Sequence, residues 1–179
     1  MRKLVAGLLA LLALVSAANA EVPALGSTAP GFSLPDQDGA TRRLAEWRGR
    51  WVVLYFYPRD DTPGCTTEAC SFRDDISLIT GLGAQVVGIS VDDTASHKAF
   101  AEKYRLPFPL LADATAAVAR QYGALSDWMA LRMAKRYTFI IDPAGRIAKV
   151  YLSVDPARHS QEIVADLKAL QGRAVGKSR

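Results

Sequence analysis

The chain has 179 residues, half of them hydrophobic, with 22 Lys and Arg against 18 Asp and Glu, a formal net charge of +4. That excess is peripheral: Arg2 and Lys3 open the chain, and Arg173, Lys177 and Arg179 close it in a stretch without apolar pattern, expected to be a solvated end. No basic stripe with interleaved aromatics is present, which argues against a nucleic-acid partner, and no apolar run reaches the ~20 residues of a membrane-spanning helix.

The first elements in chain order belong to a leader. Arg2-Lys3 precedes the apolar run Leu4–Val15, and Ala18-Asn19-Ala20 follows. A basic start, a short apolar core and an A-x-A end describe a cleavable secretory signal peptide. The expectation is a signal over residues 1–20 and one domain over residues 21–179, periplasmic or secreted, with no stable membrane association after cleavage. Export implies an oxidising compartment, where two cysteines are by default a structural disulfide.

The mature chain starts with a Pro- and Gly-rich arm holding a short strand near Phe32–Leu34, a tight turn at Asp38-Gly39, and a second short strand near Thr41–Leu44. Trp51–Tyr57, "WVVLYFY", is a continuous apolar run of strand length, suited to burial on both faces. A helix is expected from Thr62 to about Ile79, then a buried strand over Ala84–Val91. A second helix opens at Asp92 or Asp93. "FPLLAD" is a short strand or turn, and "ATAAVARQYG" a helix stopped by Gly123. Arg136–Asp142 and Arg146–Leu152 flank the turn "DPAG" as a hairpin, and "SQEIVADLKAL" is the last helix. Strand–helix alternation closed by a hairpin and a helix predicts an α/β fold, a mixed sheet covered by helices and compatible with a thioredoxin-like architecture. Gly81, Gly83 and Gly88 precede a strand rather than follow one, the wrong context for a dinucleotide loop.

Both cysteines stand in "YFYPRDDTPGCTTEACSFRDD", at Cys65 and Cys70. Pro58 ends the apolar strand. Thr62 suits a helix N-cap and Pro63 the first helical position, where no N–H is needed. Cys65 then falls in the first turn, where free backbone N–H groups and the helix dipole favour an anion. The Thr62 hydroxyl, three residues earlier, can donate to sulfur or oxygen there, and Pro58 can wall the pocket against water. A cation would complete the arrangement. Arg136 is the candidate, at the start of a strand expected beside "WVVLYFY", with Arg59, Arg73 and Arg132 as alternatives. Such a set suits thiolate attack on a weak O–O bond, with the sulfur leaving as a sulfenic acid that Cys70 can condense with. The spacing supports a redox cycle over a static staple. Five helical residues advance ~7.5 Å and rotate ~140°, which sets the two Cα atoms roughly 8–9 Å apart. A disulfide spans at most about 7 Å, so it forms only after local unwinding.

These residues resemble the active-site segment of peroxiredoxins of the bacterioferritin-comigratory, or Q-type, subfamily. The family's Pro-x-x-x-Thr-x-x-Cys pattern falls on Pro58, Thr62 and Cys65, the peroxidatic cysteine, and its resolving cysteine on Cys70. "VVGISVDDTASHKAFAEKYRLPFPLLAD" is similar to the family's next strand–helix–loop, and "RYTFIID" to its arginine-bearing strand, at Arg136. The likeness runs from about Gly26 to Leu170. It implies a thioredoxin-like fold, thiol peroxidase activity on hydrogen peroxide and organic hydroperoxides without metal, haem or flavin, a thioredoxin-like reductant, and a monomer. The secretory leader departs from a family commonly cytosolic or plastidic.

Some residues carry alternatives. Glu68 either holds the arginine or relays a proton, or belongs to a solvated helix face with Arg73. His97 and His159 occur on helix-like polar patterns without zinc-ligand pairing. Trp128, Met129, Leu131 and Met133 either pack over the core or form a docking or dimer patch. A thiol–disulfide oxidoreductase on the same fold is the alternative enzyme, but C-x-x-C is missing. An exported redox-dead binding module would need no Thr62–Cys65–Arg136 set.

Overall fold

The computed structural model describes residues 21–128 and 131–177; the leader lies outside them. In chain order the elements are β1 (Ser33–Pro35), β2 (Thr41–Arg43), a 3-10 turn (Leu44–Trp47), β3 (Trp51–Phe56), α1 (Pro63–Asp74), α2 (Ile76–Gly81) and β4 (Ala84–Ser90). There follow α3 (Thr94–Tyr104), β5 (Leu110–Ala112), α4 (Ala117–Gln121), β6 (Leu125–Trp128), β7 (Leu131–Ala134), β8 (Thr138–Ile141), β9 (Ile147–Tyr151) and α5 (His159–Lys177).

The central sheet has five strands in the order β5-β4-β3-β8-β9. The helix-linked strands β3, β4 and β5 are parallel, as helical crossovers require, and β8 and β9 add on antiparallel. The α/β expectation therefore holds. β3 lies in the middle and is buried on both faces. Val53, Tyr55 and Tyr57 join α1, α3 and α5 residues in one core layer. Val52, Leu54 and Phe56 join Val118, Ala119, Tyr122 and Phe139 in the other. This two-sided burial is why the strand is a continuous apolar run rather than an alternating one.

Three expectations change. The single helix from Thr62 to Ile79 divides at Asp75 (φ −95°, ψ 7°), whose carboxylate accepts a hydrogen bond from the Ser160 hydroxyl of α5 at 2.7 Å. The stretch after Gly123, read only as apolar cover or a docking or dimer patch, holds a hairpin, β6 paired with β7, which joins no other sheet among the described residues; Met129 and the side chains of Trp128 and Leu131 lie outside them. Helix α5 continues to Lys177, past the point where its apolar pattern was expected to end.

Strand pairing carries the site. Tyr55 is opposite Thr138 in the β3–β8 ladder, and the Phe56 N–H donates to the Tyr137 carbonyl at 2.8 Å. The ladder thus runs past the end of β8 and brings Arg136 level with the end of β3, where the cysteine loop begins. The neighbouring pair of strands is tightly fitted. A β-carbon at Gly88 in β4 would come within 2.8 Å of the Tyr55 ring and hydroxyl and of Leu110. Gly88→Ala is expected to cost about 1–3 kcal/mol by overpacking this layer. A urea midpoint unchanged from wild type would show that Tyr55 yields instead.

Candidate active site

Pro58 closes β3, and the loop it opens is tied down twice to α3. Asp60, buried, accepts from the Tyr57 and Ser96 hydroxyls at 2.7 Å each, and its Oδ2 is 2.8 Å from His97 Nδ1. Its own N–H donates to Asp92 at 2.9 Å. Asp61 holds a left-handed backbone (φ 55°) and accepts from Lys103 (2.6 and 2.9 Å) and the Tyr104 hydroxyl (2.6 Å). This clamp fixes where the next residues start α1. His97 is fully buried in it, not on a polar helix face. The sequence carries little local signal for the clamp, because its α3 partners stand 36 to 43 residues away.

Thr62 is the N-cap residue of α1 by backbone conformation and Pro63 follows in the first turn. The Thr62 side chain makes no capping bond. Its hydroxyl donates to the Arg59 carbonyl at 3.0 Å, so the proton expected to point at sulfur is already used and the oxygen is left as an acceptor. The helical ladder begins with Thr66 N–H to Thr62 C=O at 2.8 Å. The Gly64 and Cys65 N–H groups precede it and have no intrahelical acceptor.

Along α1 the buried residues are Cys65, Glu68, Ala69 and Phe72, an i, i+3, i+4, i+7 stripe facing the sheet. Cys65 is 1% exposed; Cys70 falls off the stripe and is half-buried, and both are free thiols. Arg136 Nη2 donates to Cys65 Sγ at 3.3 Å, while Nη1 donates to Glu68 Oε2 in an ion pair. The other arginines face elsewhere: Arg59 toward Asp92, Arg73 toward Asp74 and the Tyr104 carbonyl, and Arg132 to solvent. The structure thus brings Cys65 and Arg136 together, with Thr62 and Pro58 on the same loop.

Of the alternatives for Glu68, the structure selects the one in which it holds the arginine. The solvated-face reading is overturned, since its side chain is completely buried and Oε1 has no hydrogen-bond partner among the described residues. Burial pushes its carboxyl from about 4.5 up to about 7, against the pull of the Arg136 charge. Burial likewise works against the Arg136 charge, but the Glu68 carboxylate and the Cys65 sulfur outweigh it and raise the guanidinium pKa. His159 lies behind the pair, with Nε2 2.9 Å from the Thr138 hydroxyl and its ring edge-on to Phe72. It too is buried rather than on a polar face, and burial, reinforced by Arg136, lowers it to about 4. It is neutral at pH 7, so Arg136 is the cation next to the sulfur.

The Glu68 shift has a consequence for stability. Between about pH 4.5 and 7 the folded state holds a Glu68 proton that the unfolded state has released, so the contribution of Glu68 to stability falls as pH rises through that window. The full difference is on the order of 3 kcal/mol. Buried neutral His159, lowered to about 4, acts in the opposite sense between about pH 4 and 6.5. The Glu68 contribution is therefore read as a difference: in denaturation at several pH values, the stability of wild type relative to Glu68→Gln should fall as pH rises from about 4.5 to 7, and parallel pH profiles would remove Glu68 as a source.

Comparison with known proteins gives the family of the chain. The model of the AhpC/TSA family matches residues 25–150. The chain is 46% identical over 146 residues to the chloroplastic peroxiredoxin Q of Triticum aestivum, covering 81% of this chain and 67% of that one. It is 44% identical over 149 residues to the putative peroxiredoxin bcp of Coxiella burnetii, covering 80% and 97%. Among solved structures, peroxidoxin BcpB of Mycobacterium tuberculosis superposes with a TM-score of 0.78 at 40% identity, covering 82% of this chain and 97% of the other. The sheet order, the thioredoxin-like fold and the cysteine helix answered by an arginine from the paired strand have one common explanation: the chain belongs to the AhpC/TSA family, as a peroxiredoxin of the Q or bacterioferritin-comigratory kind.

Proposed function

We propose that the protein is an exported thiol peroxidase that reduces hydrogen peroxide and organic hydroperoxides with Cys65 and is recharged by a thioredoxin-like reductant. The observation that carries this reading is the Arg136 guanidinium 3.3 Å from Cys65 Sγ at the start of α1. There a thiolate, an incoming peroxide and the departing oxygen meet fixed positive charge and free N–H groups.

The cycle has three balanced steps. The Cys65 thiolate attacks the terminal oxygen of ROOH; an S–O bond forms, the O–O bond breaks, and RO⁻ leaves to take up a proton as ROH. Cys65 is then a sulfenic acid. The Arg136 charge and the first-turn N–H groups stabilise the developing negative oxygen. The Thr62 oxygen, its own proton held by Arg59, accepts the peroxide O–H and orients it. Pro58, with no N–H, walls the pocket. Next, the Cys70 sulfur attacks the Cys65 sulfenic sulfur, an S–S bond forms and water leaves. Finally a dithiol reductant exchanges with the disulfide, becomes a disulfide itself, and returns both thiols.

Both cysteines belong to α1, so the second step needs no second subunit, and a monomer suffices. It does need α1 to open, since a disulfide cannot span five helical residues. Cys70, half-buried and off the core stripe, gives up little packing when that happens.

The cysteine roles are separable by rapid thiol titration. In Cys70→Ser, hydrogen peroxide should consume one thiol at the wild-type rate, and the sulfenic acid should persist and pass to sulfinic acid under excess oxidant. In Cys65→Ser the fast reaction should vanish. Rapid peroxide consumption by Cys65→Ser, with a slow Cys70→Ser, would reverse the assignment.

Residues 1–20 are the basis for placing this activity outside the cytoplasm, with cleavage after Ala20. Mass spectrometry of the expressed protein should find Glu21 at its N-terminus; a chain keeping Leu4–Val15 in the cytoplasm would defeat the export reading.

A further inference from the structure

Gly64 stands between the N1 proline and Cys65, inside α1, and its backbone is not left-handed. Any L-residue could adopt its conformation, and alanine would favour the helix more. Gly31, Gly81 and Gly172, by contrast with Gly64, have open space where a β-carbon would go. At Gly64 a β-carbon would lie 3.2 Å from Arg136 Nη2, 3.9 Å from Arg136 Cζ and 4.0 Å from Pro156 Cγ. The nitrogen that would be displaced is the one bonded to the Cys65 sulfur.

We propose that Gly64 is a positioning residue for the peroxidase reaction: its missing side chain leaves the space through which the Arg136 guanidinium reaches Cys65. The inference rests on the peroxidase reading above. Three surfaces define that space. Gly64 is its floor, and Glu68 holds Nη1 from below the helix turn that follows. Pro156 flanks it from the β9–α5 loop. That loop is itself fixed, since the Asp155 side chain accepts from the Ala157 N–H at 3.0 Å and its carbonyl accepts from the His159 N–H at 3.0 Å. At 3.2 Å an added methyl requires the Arg136 nitrogen to give by a few tenths of an ångström, and that nitrogen is the one whose position over the sulfur matters. A glycine is therefore kept where helix stability would favour alanine, because the space above it is occupied by a catalytic cation.

The test is a double-mutant cycle on Gly64→Ala and Arg136→Ala, read as the second-order rate of Cys65 thiol loss with hydrogen peroxide, alongside thermal melting. Arg136→Ala alone should slow the reaction by roughly 10²–10³-fold, the loss seen when one oxyanion donor is removed. Gly64→Ala alone should slow it by roughly tenfold, since a misplacement of about 1 Å costs roughly 10²-fold and this one is smaller. It should melt no lower than wild type. In the Arg136→Ala background, Gly64→Ala should change the rate by less than about twofold, because the group it displaces is gone. A tenfold loss persisting in that background, a wild-type rate for Gly64→Ala, or a lowered melting temperature would each overturn the proposal. A wild-type rate for Arg136→Ala would instead overturn the peroxidase reading on which it rests.

Discussion

The Arg136 guanidinium divides its nitrogens between a buried carboxylate and a buried sulfur, and the rest of the molecule is arranged around that pairing. Taking an ion pair out of water is expensive, and such a pair rarely stabilises a fold more than apolar side chains of the same size would. Glu68 reflects that cost, with burial driving its carboxyl up to about 7 and one oxygen without a partner among the described residues. Its return is positional. A guanidinium anchored through Nη1 has its plane and reach set before any substrate arrives, so little reorganisation is left for the reaction step.

That anchoring works only if both sides of the pair are rigid. On one side, the β3–β8 ladder carries Arg136 just past the last sheet residue, close enough to the sheet to be fixed and far enough to reach over α1. On the other, the Asp60 and Asp61 clamps hold the loop before α1 to α3. Opening of α1, which a disulfide between Cys65 and Cys70 requires, is thus confined between a clamped loop and the Asp75–Ser160 contact at its far end. In the proposed cycle the segment that moves and the segment that stays fixed are adjacent, separated by Thr62.

Much of this was legible in residue types and spacing. The double-faced burial of β3 is written in an unbroken apolar run. The start of α1 is written in Thr62-Pro63, because an N1 proline has a specific steric reason to be there. Cys65 and Cys70 follow from chain position alone, and Arg136 from the expectation that its strand adjoins β3. Local signals of this kind survive because they act over one turn of helix or one strand.

What only the tertiary structure decided are contacts whose partners are distant in sequence. Glu68 in a helix pattern could hold the arginine, relay a proton or face solvent, and the choice falls on the guanidinium anchor only when Arg136, 68 residues later, closes over it. His97 and His159 look polar and are buried, one by Asp60 and the other by Thr138 and Phe72. Gly64 reads as a helix-start glycine until the distance to Arg136 gives it a different reason. The chain itself determined which chemistry was available, since a cysteine at a helix start is a property of neighbouring residues. The fold determined how that chemistry is aimed, because the donor–acceptor distances that do so are set by packing between elements rather than within them.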